Sequence, residues 1–398
     1  MSFSPQEMAQ RRSRAQQLMQ EAGLDAIMVT GDFSACMNYY YLSGHSARDY
    51  QSNFSRPHIM VLKQDGKASL LVYNVNKENA QETSWVGDVR TYAPPFDHRS
   101  LKQLLEDMGL ARATIGAELG ADQRLWMPVQ QFLCLQQALP SARFVDASAL
   151  FWRLRMIKSP AEIEFIRTAD RINARALRRA FCELKEGSTE KEVTRLVCKY
   201  LVDEGAWRPP HTQILVVSEQ KARAKGHRAR MLGPTDDRLQ KGHVLFVDSG
   251  AIYEGYWGEF NRMAVVGQPS RSQTESHEKI RTVVRRSIAE AFKPGNSFRN
   301  VMQHMVKIYQ ELDLGEEQYA RYIREPFFHL AHGVGLNGSE PPFVRMDRDD
   351  PLEVGMVMSI EAYLTHDGVT YGSEEDIAMT VDGAEILSDP DQGLFEIF

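Results

Sequence analysis

The chain has 398 residues, 43% of them hydrophobic and 25% charged. That is a globular composition, too long for one hydrophobic core, so two domains are expected. The net charge of −6 comes from acids and bases mixed along the chain, which leaves no basic footprint for nucleic acid. No apolar stretch reaches the ~18 residues of a membrane helix, and the opening MSFSPQEMAQRRSR is too polar for a signal peptide. The expected protein touches no membrane and is cytoplasmic.

The first helix is announced by Ser4-Pro5-Gln6-Glu7, a capping box with proline at the first helical position. Met8, Ala15, Leu18, Met19 and Ala22 then recur at helical spacing, and Gly23 closes the run. Strands are expected at Ala26 to Val29, Ile59 to Leu62 and Ser69 to Val72, with helices near Leu101 to Met108 and Met127 to Ala138. This alternation is α/β patterning, a sheet covered by helices. Tyr39, Tyr40 and Tyr41 read as packing residues. A second capping box, Ser159-Pro160-Ala161-Glu162, opens a long helix to about Glu183, and another runs from Thr189 to Asp203, closed by Gly205. Strands, two helices (about Thr274 to Phe292 and Ser297 to Leu312) and further strands follow. The domains expected are 1–154 and 155–398.

Cys36, Cys134, Cys182 and Cys198 show no CxxC spacing and read as buried small hydrophobes. Lys221, Arg223, Lys225, Arg228 and Arg230 read as a solvated loop or subunit surface; attraction of an anionic substrate toward the neighbouring His227 is the alternative.

The chemistry lies in five ionisable residues. Asp248 ends the apolar run VLFVD, Glu259 follows in GYWGEFNR, His332 stands in LAHGVGL, Glu361 in GMVMSIEAYL and Glu375 in GSEEDIAM. Carboxylates placed in strand-like runs, where they are depleted, need a cation or hydrogen bonds. Four carboxylates and an imidazole suit one or two divalent ions, Mn, Fe, Co or Zn. Two such ions a few ångströms apart polarise a carbonyl and activate water, which is hydrolytic chemistry.

Spacing and order together resemble the pita-bread group of metallopeptidases, which includes methionine and Xaa-Pro aminopeptidases, prolidases and creatinase. The group's pattern is Asp, a second Asp eleven residues on, His in HGxG, Glu in a GMV-x-x-[IV]-E run, and Glu followed by Asp. This chain offers Asp248, Glu259, His332, Glu361, and Glu375 before Asp376. RMIKSPAEIEFIRTA is similar to the helix that opens the catalytic domain, and MNYYYLSG and FSRPHIMVL to the amino-terminal domain of creatinase and prolidase. The resemblance implies a creatinase/prolidase-like α/β domain followed by a pita-bread catalytic domain. His227, 21 residues before Asp248, corresponds to a histidine near the substrate, as acid–base or substrate contact. Asn53-Phe54-Ser55-Arg56-Pro57 is similar to a creatinase segment that reaches a neighbouring subunit's site. It implies a homodimer in which Phe54 and Arg56 bind the substrate, the arginine through a carboxylate.

Three departures bear on the reaction. Glu259 replaces the second aspartate, Ser339 replaces a histidine seven residues after His332, and Ser373 stands where an arginine is usual. Ser339 and Glu340 are the altered His-Glu pair, carried here as substrate-binding and catalytic candidates. The reading is a metal-dependent hydrolase of a C–N bond acting on a dipeptide or another small molecule, similar to Xaa-Pro dipeptidases. A small-molecule specialist on the same fold is the alternative: creatinase-like, ectoine-hydrolase-like, or a dimethylsulfoniopropionate lyase. A non-catalytic binding protein is the third.

Overall fold

The computed structural model describes residues 3–32, 37–46, 54–207, 214–225, 229, 232–325 and 328–398. Cys36, Asn53, His227, Arg228 and Arg230 lie outside the described residues. The chain divides into two compact units, Met1–Arg155 and Met156–Phe398.

In the first unit the Pro5–Glu21 helix is capped by Ser4, whose Oγ accepts the Glu7 amide at 3.1 Å. The reciprocal half of the expected capping box is absent, because the Glu7 carboxylate instead takes Arg11 Nε at 2.9 Å. Arg11 is buried on the apolar side of the helix, its guanidinium against the rings of Phe3 and Tyr41. A mixed sheet forms the unit's centre from β1 (Ala26–Gly31), β2 (His58–Lys63), β3 (Ala68–Tyr73), β4 (Asp88–Tyr92), β5 (Thr114–Ala117) and β6 (Arg143–Asp146). Its spatial order is β4-β3-β2-β1-β5-β6. Every residue of β1 is buried, as a central strand with both faces covered requires. Leu101, Leu104 and Leu105 of the His98–Asp107 helix and Phe132 and Leu135 of the Val129–Ala138 helix fill one face. All three tyrosines, Tyr39 to Tyr41, are buried in the Met37–Ser43 helix.

In the second unit, complete capping boxes start the Pro160–Glu183 and Glu190–Asp203 helices at Ser159 and Thr189. Both pack on a sheet of β7 (Leu215–Ser218), β8 (Val244–Tyr253), β9 (Tyr256–Val266) and β15 (Phe395–Ile397), ordered β15-β9-β8-β7. A second sheet holds β10 (Ala331–Gly333), β11 (Glu340–Val344), β12 (Val357–His366), β13 (Val369–Thr380) and β14 (Gly383–Ile386), ordered β11-β10-β12-β13-β14. The Arg271–Ala291 and Phe298–Glu311 helices cover it with Val283, Val284, Met302 and Met305.

Two hairpins fix the site's register. Glu254 and Gly255 turn β8 into β9, and Asp367 and Gly368 turn β12 into β13, with positive φ at all four residues. Two-residue turns of this kind match the strands' twist and set their pairing without slack. Gly250 therefore faces Glu259 and Asp248 faces Asn261, while Glu361 faces Glu374 and Ser359 faces Asp376.

Two expectations fail here. Cys182 is exposed, because it lies on the outer side of its helix while neighbouring Phe181 points inward, and Cys134 and Cys198 are only half-buried. Lys221 is buried, not solvated, in the Glu219–Lys225 helix. Its Nζ donates to Glu190 Oε2 and to the carbonyls of Val216, Leu232 and Gly233, all at 3.1 Å.

Candidate metal centre

Directly opposed residues in antiparallel strands project to the same face. His332 opposes Ser359, and Ser359 opposes Asp376, so β10, β12 and β13 present His332, Ser359, Glu361, Glu374 and Asp376 on one side of their sheet. The β8–β9 hairpin contributes Asp248 and Glu259. Cross-links bring the two sheets edge to edge: Asn261 N and Nδ2 donate to Glu374 Oε2 at 2.9 and 2.8 Å, and Glu259 N donates to Asp376 Oδ2 at 3.0 Å. Ser359 Oγ completes the cradle on Glu374 Oε1 at 3.0 Å.

Two groups of ligand atoms result, each within 4.8 Å: Glu259, His332 and Glu374, and His329, His332 and Glu361. His332 Nε2 lies 3.3 Å from Glu259 Oε1, and its Nδ1 lies 3.2 Å from the Gly333 carbonyl. With the proton on Nδ1, Nε2 carries the lone pair that a metal ligand needs. Burial pushes the carboxyls of Glu259 and Glu374 well above their ordinary range, and the neighbouring carboxylates push the same way. Asp376 is pushed up to about 6, by burial first, against the stabilising Glu259 amide. Behind it Asp170, fully buried, is raised by burial and then by Asp376. Among the described residues no lysine or arginine pairs with Glu259 or Glu374. A buried carboxylate cluster without a protein cation is costly unless protonated or metal-bound, and its oxygen and imidazole donors suit a divalent first-row ion.

The structure corrects the last position in the sequence reading. Glu375 is not brought to this group. Being one residue off the Glu361–Glu374 pair, it projects to the opposite face of β13. There Arg262 (3.0 Å), the Asp391 amide (2.7 Å) and the Ser388 hydroxyl all donate to it. Glu374 stands in its place. The hairpin turn could have revealed this, since Glu361 lies six residues before Asp367 and Glu374 six after Gly368.

The other candidates fall in different places. The Glu340 carboxylate is buried against Lys158, Nζ to Oε1 3.1 Å, and its Oε2 takes the Asn337 amide at 3.4 Å. It ties the HGVGL turn to the start of the Pro160–Glu183 helix, a structural engagement that proton transfer would have to break. Ser339 is exposed, so no serine side chain is built into the pocket wall there. Ser373 is buried and reaches Asp391. In the first unit the Arg56 guanidinium stacks on the rings of Phe54 and Tyr73 at 5.1 and 5.5 Å, with Phe54 59% exposed. His227 lies outside the described residues. Residues the sequence reading did not single out are Glu374, Lys158, Tyr363, whose hydroxyl donates to Glu361, and His329, whose Nε2 is 3.7 Å from Glu361.

A carboxylate–imidazole cluster on two hairpins of the second unit defines a metallohydrolase architecture. Comparison with known proteins gives the class its family. Residues 164–381 match the model of metallopeptidase family M24, and residues 11–157 match the creatinase/prolidase N-terminal domain. The chain belongs to metallopeptidase family M24, with a pita-bread catalytic domain. It is similar to an Xaa-Pro dipeptidase of Lactobacillus helveticus, 26% identical over 385 residues that cover 96% of this chain and 97% of that one. Among solved structures, the Xaa-Pro dipeptidase from Bacillus anthracis superposes with a TM-score of 0.80 at 20% identity, covering 98% and 99% of the two chains. The X-Pro aminopeptidase from Thermotoga maritima gives 0.78 at 24% identity, covering 97% and 99%. Both likenesses are of fold. No helix among the described residues is long and apolar enough to cross a membrane.

Proposed function

We propose that the chain hydrolyses a C–N bond in a dipeptide or short peptide with proline second, in the manner of Xaa-Pro dipeptidases. The observation that carries this reading is the gathering of Glu259, His332 and Glu374, donor atoms within 4.8 Å, where neither glutamate receives a lysine or arginine from the described residues. Asp248, Glu259, His332, Glu361 and Glu374 would hold one or two divalent ions, Mn, Fe, Co or Zn. Bound there, the ion supplies a Lewis acid and lowers the pKa of water. Asn261 and Ser359 fix the Glu374 carboxylate in one orientation, and the Gly333 carbonyl fixes the His332 tautomer. His227 would steady charge developing on the scissile carbonyl. Glu340 acts through Lys158 as a positioning residue for the His332 loop.

The same reading makes the active unit a homodimer in which Phe54 and Arg56 of one chain complete the other's site. Arg56→Ala should then raise KM for a carboxylate-bearing substrate by a factor of roughly 30 to 160, the loss of a charge-assisted pair at ~2–3 kcal/mol. Mixing Arg56→Ala with Glu374→Ala chains should restore one working site per mixed dimer. A monomer active in solution ends the shared-site idea.

Glu259, one methylene longer than the usual aspartate, and an exposed Ser339 in place of a histidine favour the second reading, a small-molecule amidohydrolase or lyase on this fold. Metal analysis of protein purified without chelator, with turnover of a Xaa-Pro dipeptide, decides between them. Bound metal with no dipeptide turnover selects the specialist; activity indifferent to chelators and no metal removes the leading reading.

A further inference from the structure

We propose that Trp257 selects the substrate. Its indole forms the wall of the centre beside Glu259 and packs against the side chain of the residue ahead of the proline, which favours an apolar residue there. This inference rests on the dipeptide reading above and names the residue that would set its specificity.

Register puts the indole on the metal side of the β8–β9 hairpin. Trp257 precedes Glu259 by two residues on β9 and so shares its face. Two glycines mark the two faces. A Cβ on Gly250, which opposes Glu259, would stand 3.0 Å from Glu259 Cβ and 3.3 Å from Trp257 Cε3. A Cβ on Gly258, between Trp257 and Glu259 in sequence, would instead meet Asp170 Oδ1 of the Pro160–Glu183 helix at 2.5 Å. The indole therefore lies over Gly250, along the stem of Glu259 and away from that helix. The Trp257 amide donates to the Gly335 carbonyl at 2.8 Å, which ties the same residue to the turn after His332.

This wall is open to solvent. Asn261, His332 and Glu374 are buried, whereas Asp248, Trp257, Glu259 and Glu361 are half-buried. A molecule reaching the cluster must pass these partly exposed side chains, and among them the indole is the large apolar surface. With one divalent ion bound, the carboxylates of Asp248, Glu259, Glu361 and Glu374 still leave a net negative charge. A dipeptide's ammonium is drawn toward that charge and its own carboxylate away from it, so the first residue lies at Glu259. Its side chain then covers the indole. Each methylene buried there adds to binding, and glycine adds nothing.

The test compares Leu-Pro with Gly-Pro on the Mn2+-loaded enzyme. Wild type should favour Leu-Pro in kcat/KM by about tenfold or more, and Trp257→Ala should cut that preference to about twofold or less, mostly by losing Leu-Pro turnover. Trp257→Phe should keep most of it. A residue that only supported Glu259 would lower both substrates by one factor. Binding gives a readout apart from turnover. On rapid mixing with Leu-Pro, tryptophan emission should change in wild type and stay constant in Trp257→Phe. Equal losses on the two dipeptides in Trp257→Ala overturn the proposal, as does an emission change absent from wild type or equal in Trp257→Phe. If wild type binds Mn2+ yet turns over neither dipeptide, the Xaa-Pro reading itself has failed and this inference falls with it.

Discussion

The catalytic unit buries its glutamates in two ways. Glu190, Glu340 and Glu375 each come with a cation, namely Lys221, Lys158 and Arg262. Glu374 is equally enclosed and Glu259 largely so, and neither receives one from the described residues. The consequences run in opposite directions. Burial pushes the Glu190 carboxyl up, but the amides of Ser218 and Thr235 and the Lys221 ammonium outweigh it and hold it below the ordinary range. At Glu374 burial has the neighbouring carboxylates as allies, and the carboxyl rises. Breaking a supplied pair strands a charge, whereas the cluster waits for a cation from solution. Which buried glutamates receive no lysine or arginine from the described residues is therefore a better guide to the site than burial alone.

Adjacent residues give the sharpest break. Glu374→Ala should abolish metal retention and lower turnover at least a hundredfold, with little loss of stability in the metal-free protein, because it relieves repulsion among carboxylates. Glu375→Ala should keep metal affinity within about tenfold and instead destabilise the fold by ~3 kcal/mol, since Arg262 and the Asp391 amide lose their acceptor. Elemental analysis and urea unfolding on the same two samples check both halves. Glu375→Ala losing the ion while Glu374→Ala keeps it would reverse the assignment of faces.

Lys221→Met probes the supplied pairs. It leaves Glu190 buried without its cation and the carbonyls of Val216, Leu232 and Gly233 without the Lys221 donor, at a cost of about 3–5 kcal/mol. Adding Glu190→Gln should recover part of that loss, because both charges are then gone. Urea midpoints for the two single variants and the double variant measure the coupling. Simple additivity would mean the pair is no stronger than a surface contact.

The parts of this arrangement that could be read from sequence are those set by local chemistry. Ser159 and Thr189 name their helix starts because a capping oxygen and a glutamate three residues on satisfy specific amides. Asp248 closes an apolar run, and HGVG marks a histidine at a close backbone approach. In GSEEDIAM, three successive carboxylates alternate between faces, and only the hairpin pairing says which one meets Glu361. Glu375 fitted the order of the motif and missed the register by one residue. The burial of Lys221 and Lys158 was equally hidden. A lysine in a charged run reads as solvated until a glutamate distant in sequence comes to meet it; Glu190 is 31 residues from Lys221 and Glu340 is 182 from Lys158. The short strands β4 and β6 carry arginine and aspartate and alternate too weakly to be seen.

The amino-terminal unit tests the same rule with the charge reversed, and with the smallest effect. His58 is completely buried in β2, with neither ring nitrogen hydrogen-bonded, beside His45 at 5.7 Å between ring centres. Burial first, and His45 second, lower its pKa from 6.5 to about 3. Among the described residues no anion meets it, so the folded chain keeps it neutral while the unfolded chain protonates near pH 6.5. The lowered value puts the stabilisation above pH 6.5, to be lost progressively as pH falls toward 3. Between pH 7 and pH 5 the cost from this one residue should be about 2 kcal/mol. His58→Gln should lose correspondingly less over the same interval, since an amide takes up no proton. Urea midpoints at pH 7 and pH 5 for both proteins give the difference. Parallel losses would mean that His58 finds an acid-stabilising partner on protonation, and that this unit, unlike the catalytic one, supplies its buried charge after all.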